Sequence, residues 1–198
     1  MPKNQTLDEF YSTFREEVLC ASDTETSGWT TEDFLTNVMM EYLEEAGEVT
    51  DLVVCPLRGC GLQMNAYFIS EDCESVDIFV SIYSESDRPR SVSQADIDAA
   101  IKRAIQLYHK AINDLYTAFQ KDNDTYEFAI TLHQNKDNIK HVRICALTNG
   151  LVKPIALKNI TIGDAEISFS LWDVDRLYRC VTSGKMRETI EIDFEEKF

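Results

Sequence analysis

The sequence predicts an α/β domain, a mixed β-sheet flanked by helices in three layers, α/β/α. Three observations predict it. Short apolar, β-branched runs at 52–55, 62–69 and 76–83 are separated by turn residues, the pattern of a hairpin-linked meander. A long amphipathic stretch follows at 94–119. Two further strand-like runs come after it, at 142–148 and 166–171. A meander pairs antiparallel, whereas a long helix between strands is what a parallel crossover requires, so the sheet is expected to be mixed.

Each element has its own signal. Leu7, Phe10, Phe14 and Val18 form an apolar stripe at helical spacing, and the polar residues 22–28 close that helix in a loop. Thr30 then reads as an N-cap, with Glu32 and Asp33 in the first turn. Phe34, Leu35, Val38, Met39, Tyr42 and Leu43 carry the second helix to Ala46, and Gly47 supplies the stop. Residues 70–75 make a polar turn between the second and third strands.

Ser93 caps the long helix. Its stripe of Ile97, Ile101, Ile105, Tyr108, Ile112, Leu115 and Phe119 predicts a rod about 39 Å long. A short helix is expected over 125–133. The strand at 142–148 ends in Asn149-Gly150. Residues 172–181, with Asp173 and Asp175 near their start, predict a helix closed by Gly184. Residues 188–194 alternate apolar and polar like a strand. No repeat or low-complexity linker interrupts the chain, so the expected organisation is an N-terminal helix and loop over 1–28 and one α/β unit over 29–198.

Composition narrows the function classes. The 198 residues are 44% apolar, enough for a substantial core. No apolar run reaches the ~18 residues that a membrane span needs. The N-terminus has no apolar signal region, and a cytoplasmic protein is expected. The net charge of −16 opposes non-specific phosphate binding, which relies on clustered Lys and Arg. The six cysteines include no C-x-x-C pair, Cys55 and Cys60 are five apart, and the three histidines lie far from those two in sequence. Zinc is therefore not expected, and the thiols are read as reduced.

The strand ending Leu147-Thr148-Asn149-Gly150, and the unit from Phe169 through Trp172-Asp173-Val174-Asp175 to Leu177, give the chain a resemblance to the restriction-endonuclease-like fold, nearest the Mrr-type branch of the PD-(D/E)XK nucleases. An ordered series of segments resembles a narrower group. These are 41–48 (Glu41 to Glu48), 58–67 (Arg58 to Tyr67), 76–80, 147–150, 172–177 and 190–196. Together they resemble the N-terminal region of abortive-infection phage-resistance (AIPR) proteins of bacteria. That resemblance implies a role in antiviral defence. It also implies an N-terminal fragment of a longer chain, in keeping with a tail that stops without a change of composition.

A PD-(D/E)XK nuclease holds Mg²⁺ between strand and helix carboxylates and uses a lysine to orient the attacking water. Carried over residue by residue, the helix carboxylate falls on Glu41, Glu44 or Glu45, and the strand acid falls on Asn65. The acid-x-lysine pair falls on Phe79 and Ser81. Alternation puts Asp77, Phe79, Ser81 and Tyr83 on one face. Only Asp77 supplies an anion there, one step early. No lysine lies on either strand, and Arg58, the nearby cation, cannot act as a base.

The expected reading is a pseudo-nuclease with vestigial positions Glu44, Asn65, Asp77 and Ser81, no catalytic residues, no metal and no cofactor. The alternative is a divergent nuclease holding Mg²⁺ with Glu44, Asn65 and Asp77. The plain account of Asn65 is a buried, hydrogen-bonded strand amide. That of Glu44, Glu45 and Glu48 is a solvated helix end. The 58–61 loop reads as a hairpin turn, the alternative being a glycine loop that presents N–H groups to an anion.

Phosphate-contact candidates are Arg58, Lys136, Lys140 and Arg143, joined by Lys153 and Lys158 if these cluster. The expected partner is the C-terminal remainder of the chain's own protein. A homo-oligomer is left open, nucleic acid is opposed by the charge, and no membrane is expected.

Overall fold

The structure, a computed structural model, describes residues 5–24, 28–121, 123–153 and 157–183. The expected strand at 188–194 and the stop at Gly184 lie outside the described residues. The architecture is mixed α/β: a six-stranded mixed sheet flanked by five helices, in three layers.

Helix α1 (Leu7–Thr24) and helix α2 (Thr31–Glu45) come first. Strands β1 (Val53–Gly59), β2 (Leu62–Ile69) and β3 (Ser75–Ile82) form the meander. Helices α3 (Gln94–Ala111) and α4 (Asp124–Gln134) lead to β4 (His141–Thr148), and β5 (Ile160–Ile162), β6 (Ala165–Trp172) and α5 (Val174–Thr182) follow. The sheet order is β1-β2-β3-β4-β6-β5. The β3–β4 and β4–β6 pairs are parallel and the others antiparallel. The long connection through α3 and α4 provides the parallel crossover from β3 to β4.

Two apolar clusters sandwich the sheet. On one face Val76, Ile78, Val80, Val142 and Ile144 meet Ile97, Ile101 and Leu107 of α3 and Phe128 of α4. On the other, Ala66, Phe79, Cys145 and Leu147 meet Phe34, Leu35, Met39 and Leu43 of α2, Leu177 of α5, and the Phe10-Phe14-Val18 stripe of α1. Period-2 strands and period-3.6 helices thus place their apolar sides as the sequence implied.

Four details differ from the expectation. The long helix ends at Ala111, about 27 Å from its start at 1.5 Å per residue. Ile112 caps it and the Asn113 side chain donates through Nδ2 to the His109 carbonyl (2.6 Å), so the chain turns before a 3₁₀ segment, Leu115–Ala118. The apolar spacing continues because Leu115 and Phe119 still pack on the same core. Strand β1 continues past Cys55 to Gly59. Pro56 is tolerated there because β1 is an edge strand, with a register shift between Val54 and Leu57. The turn is only Cys60-Gly61, with φ of 51° and 76°, a left-handed pair suited to a two-residue hairpin. Trp172 ends β6 instead of opening a helix, and Asp173 is the N-cap, accepting from the Arg176 amide at 2.8 Å. Strand β5, three residues long, carries no sequence signal of its own.

The C-terminal ends of the parallel strands are bolted to α1. The Asn149 side chain accepts from Ser84 N–H (2.8 Å) and donates to the Ser84 carbonyl (2.8 Å) and to the Tyr11 oxygen (3.3 Å). Tyr11 donates in turn to the Ser86 carbonyl (2.9 Å). Gly150 admits no side chain, because a Cβ there would stand 2.4 Å from Val92 and 2.8 Å from the Arg90 carbonyl.

Candidate functional site

The first turn of α2 lies over the end of the meander. Asp33, three residues after the N-cap Thr30, folds back to accept from the Thr30 N–H (2.8 Å) and hydroxyl (2.9 Å). This is the return half of a capping box. Arg58, next to last in β1, sends its fork to the same carboxylate, Nη1 to Oδ2 at 2.8 Å and Nη2 to Oδ1 at 2.9 Å. Nη2 also lies 3.0 Å from Glu32. Asn65 of β2 adds a fifth donor, Nδ2 to Oδ1 of Asp33 at 2.8 Å.

The network continues into the sheet. Backbone pairing of β2 with β3 runs from Ile69↔Val76 to Ala66↔Phe79. Beyond it, side chains take over the main-chain groups of Ser81. Asn65 Oδ1 accepts from Ser81 N–H (2.9 Å), and Gln63 Nε2 donates to the Ser81 carbonyl (3.0 Å). Arg103 of α3 donates to Gln63 Oε1 (3.0 Å). The Thr36 hydroxyl spends its proton on the Glu32 carbonyl (2.7 Å), so the Ser81 hydroxyl donates across the 2.6 Å contact to Thr36. Asp33, Thr36, Gln63, Asn65 and Ser81 are all buried. Buried polar groups of this kind are stable only when satisfied, and here the network closes on itself.

Charge follows the geometry. Burial pushes the Asp33 carboxyl up, but the Arg58 fork and the Thr30 donors outweigh it and hold the group below its ordinary value. Burial likewise opposes the charge on Arg58, and Asp33 and Glu32 more than offset that.

The sequence-predicted positions separate into two groups. Asn65 and Ser81 are brought together. Glu44 is exposed near the far end of α2, eleven residues from Asp33 and so about 16 Å along the axis. Asp77 lies four residues before Ser81 on β3, about 13 Å away. Both its carboxylate oxygens accept from Arg143, its register partner on β4. Among the described residues no group of three or more His, Cys, Asp or Glu side chains is arranged to hold a metal ion.

The phosphate-contact candidates are also divided. Arg58 points inward at Asp33 and Arg143 pairs with Asp77. Lys136 and Lys140 are exposed between α4 and β4, with Lys140 reaching the Asp137 carbonyl (3.2 Å), and Lys153 and Lys158 are exposed elsewhere. Cys145 is buried, its thiol pushed up to about 12 by desolvation, which leaves it inert as a nucleophile at neutral pH. Trp172 is buried, with the Arg176 guanidinium stacked 3.6 Å from its ring centroid.

Sequence reasoning missed Asp33, Thr36 and Gln63 as members of the network. Two signals were present. Thr30-x-x-Asp33 is a capping pattern, and Arg58 is the sole Lys or Arg between Arg15 and Arg88. A lone cation in an acidic stretch has many carboxylates to choose from, and the buried one binds it most strongly.

The chain matches the family described as the abortive infection phage resistance protein N-terminal domain, over residues 35–179. No curated protein and no solved structure matches it. The matched stretch runs from the second turn of α2 into α5, through every strand of the sheet, and covers well over half of the 198 residues. The chain belongs to the abortive infection phage resistance N-terminal domain family.

Proposed function

We propose that this domain is a non-catalytic recognition or association module of a phage-resistance protein, built on a restriction-endonuclease-like scaffold. The observation that carries the reading is the closed network around Asp33. A metal-dependent phosphodiesterase needs carboxylate lone pairs turned toward a metal and a base or lysine near the attacking water. Asp33 is the buried acid beside β2 and β3, and its oxygens already accept five donors. A carboxylate offers about four lone-pair sites, so none is left over. Asn65 aims its NH₂ group at that acid, and its oxygen is held by Ser81 N–H. The partner favoured by this reading is the remainder of the domain's own protein.

The test is a cleavage assay with Mg²⁺ and with Mn²⁺ on double-stranded DNA, single-stranded DNA and RNA. The expected result is no turnover above that of the Asp77→Asn and Glu44→Gln variants. Metal-dependent cleavage that either substitution abolishes would establish the divergent nuclease instead. Co-expression of the domain with the remainder of its own protein then tests association directly.

A further inference from the structure

We propose that Asp33, flanked by Thr30, Glu32 and Asn65, forms a pocket selective for a planar guanidinium cation, which Arg58 fills from within the chain. The proposal deepens the reading above and rests on its view that the cluster is not a metal site.

The pocket is assembled without Arg58. Oδ2 of Asp33 is fixed by the Thr30 N–H and hydroxyl, and Oδ1 by Asn65 Nδ2. Asn65 is itself held by Ser81 N–H at its other end. With the arginine trimmed, three donors still orient the carboxylate, so both of its oxygens keep facing the space the fork occupied. Fork-to-fork pairing at 2.8 and 2.9 Å gives each oxygen its own N–H donor, the planar two-point geometry that a guanidinium supplies. Glu32 at the rim takes a further N–H at 3.0 Å. Asn65 turns its NH₂ toward the carboxylate and keeps its oxygen on Ser81 N–H, so it offers no ligand oxygen to a divalent metal. Access is available, because Arg58 enters from an edge-strand hairpin and its side chain is 30% exposed.

The experiment is chemical rescue. Arg58→Ala is melted in increasing guanidinium chloride, far below denaturing concentrations, against NaCl at equal ionic strength and against MnCl₂. Wild type and the Arg58→Ala/Asp33→Asn double variant are the controls. The expected result is a saturable rise in the Tm of Arg58→Ala, roughly 2–4 °C once guanidinium stands several-fold above its Kd, with no rise in either control or with NaCl or MnCl₂.

No rise in Arg58→Ala, or an equal rise in the double variant, overturns the pocket and leaves the non-catalytic reading to the cleavage assay. A rise with MnCl₂ overturns the pocket and counts against that reading as well. Should Arg58→Ala not fold, Arg58→Gln is titrated in its place. Failure of both to fold with guanidinium present also overturns the proposal.

Discussion

The molecule holds two arginine–aspartate forks around the same face of its sheet, and they behave as opposites. Asp33 and Arg58 join α2 to β1, whereas Asp77 and Arg143 are register partners on β3 and β4. Both are bidentate. The side chain of Asp33 is 1% exposed and that of its arginine 30%, against 15% and 46% for the second pair. The first pair feeds a chain of bonds that ends in α3, whereas the second stands where solvent screens it. Identical chemistry thus yields a structural joint in one place and a surface contact in the other, and what separates them is desolvation together with the number of groups each carboxylate must satisfy.

Breaking the inner fork has the largest expected effect. Arg58→Ala leaves a buried carboxylate short of its counter-charge. It should cost about 2–4 kcal/mol, discounted from the fully buried range because the arginine is partly exposed. Urea denaturation measures this, and a loss under about 1 kcal/mol would make the joint no stronger than the outer pair.

Asn65→Ala comes next. It strands the Ser81 N–H and should cost about 1–3 kcal/mol, the usual penalty for a buried donor left unpaired. Hydrogen exchange should show the Ser81 amide opening first.

Acid sharpens the comparison further. The folded Asp33 titrates below its ordinary value of 3.8, so its contribution is present above that value and is lost as pH falls through the folded one. Denaturation midpoints taken from pH 5 downward should therefore fall more steeply for the wild type than for Asp33→Asn.

Arg143→Ala and Asp77→Ala complete the series. Each should change stability by under about 1 kcal/mol and lose that effect in high salt. A larger loss would show that the outer fork, too, is structural.

Much of the fold was legible because burial writes itself into spacing. The Phe10-Phe14-Val18 stripe, the Thr30 cap with its Gly47 stop, and the alternation through Val76, Ile78 and Val80 each predicted an element that is present. The helical spacing outruns the long helix because Leu115 and Phe119 keep it across a turn. Apolar periodicity reports which residues meet the core, and a 3₁₀ segment can meet it as well as an α-helix does. The strand signal of β1 stops short at Pro56 because proline is usually excluded from strands, a rule that relaxes at an edge. The three-residue β5 is too short to carry a period.

The site was legible only by its residue types. The sequence by itself determined that Asn65 and Ser81 are neutral and that no lysine lies on their strands, that Arg58 is the lone cation for a long way on either side, and that the strands form a mixed sheet under helices. Only the tertiary structure decided that Asp33, read in sequence as an ordinary acid of a helix's first turn, is the carboxylate that Arg58 and Asn65 share. The reason is physical. Helix caps and strand faces follow from neighbours a few residues apart, whereas the partner of a buried charge is settled by which distant groups the packed layers leave within about 3 Å, once water is no longer there to compete.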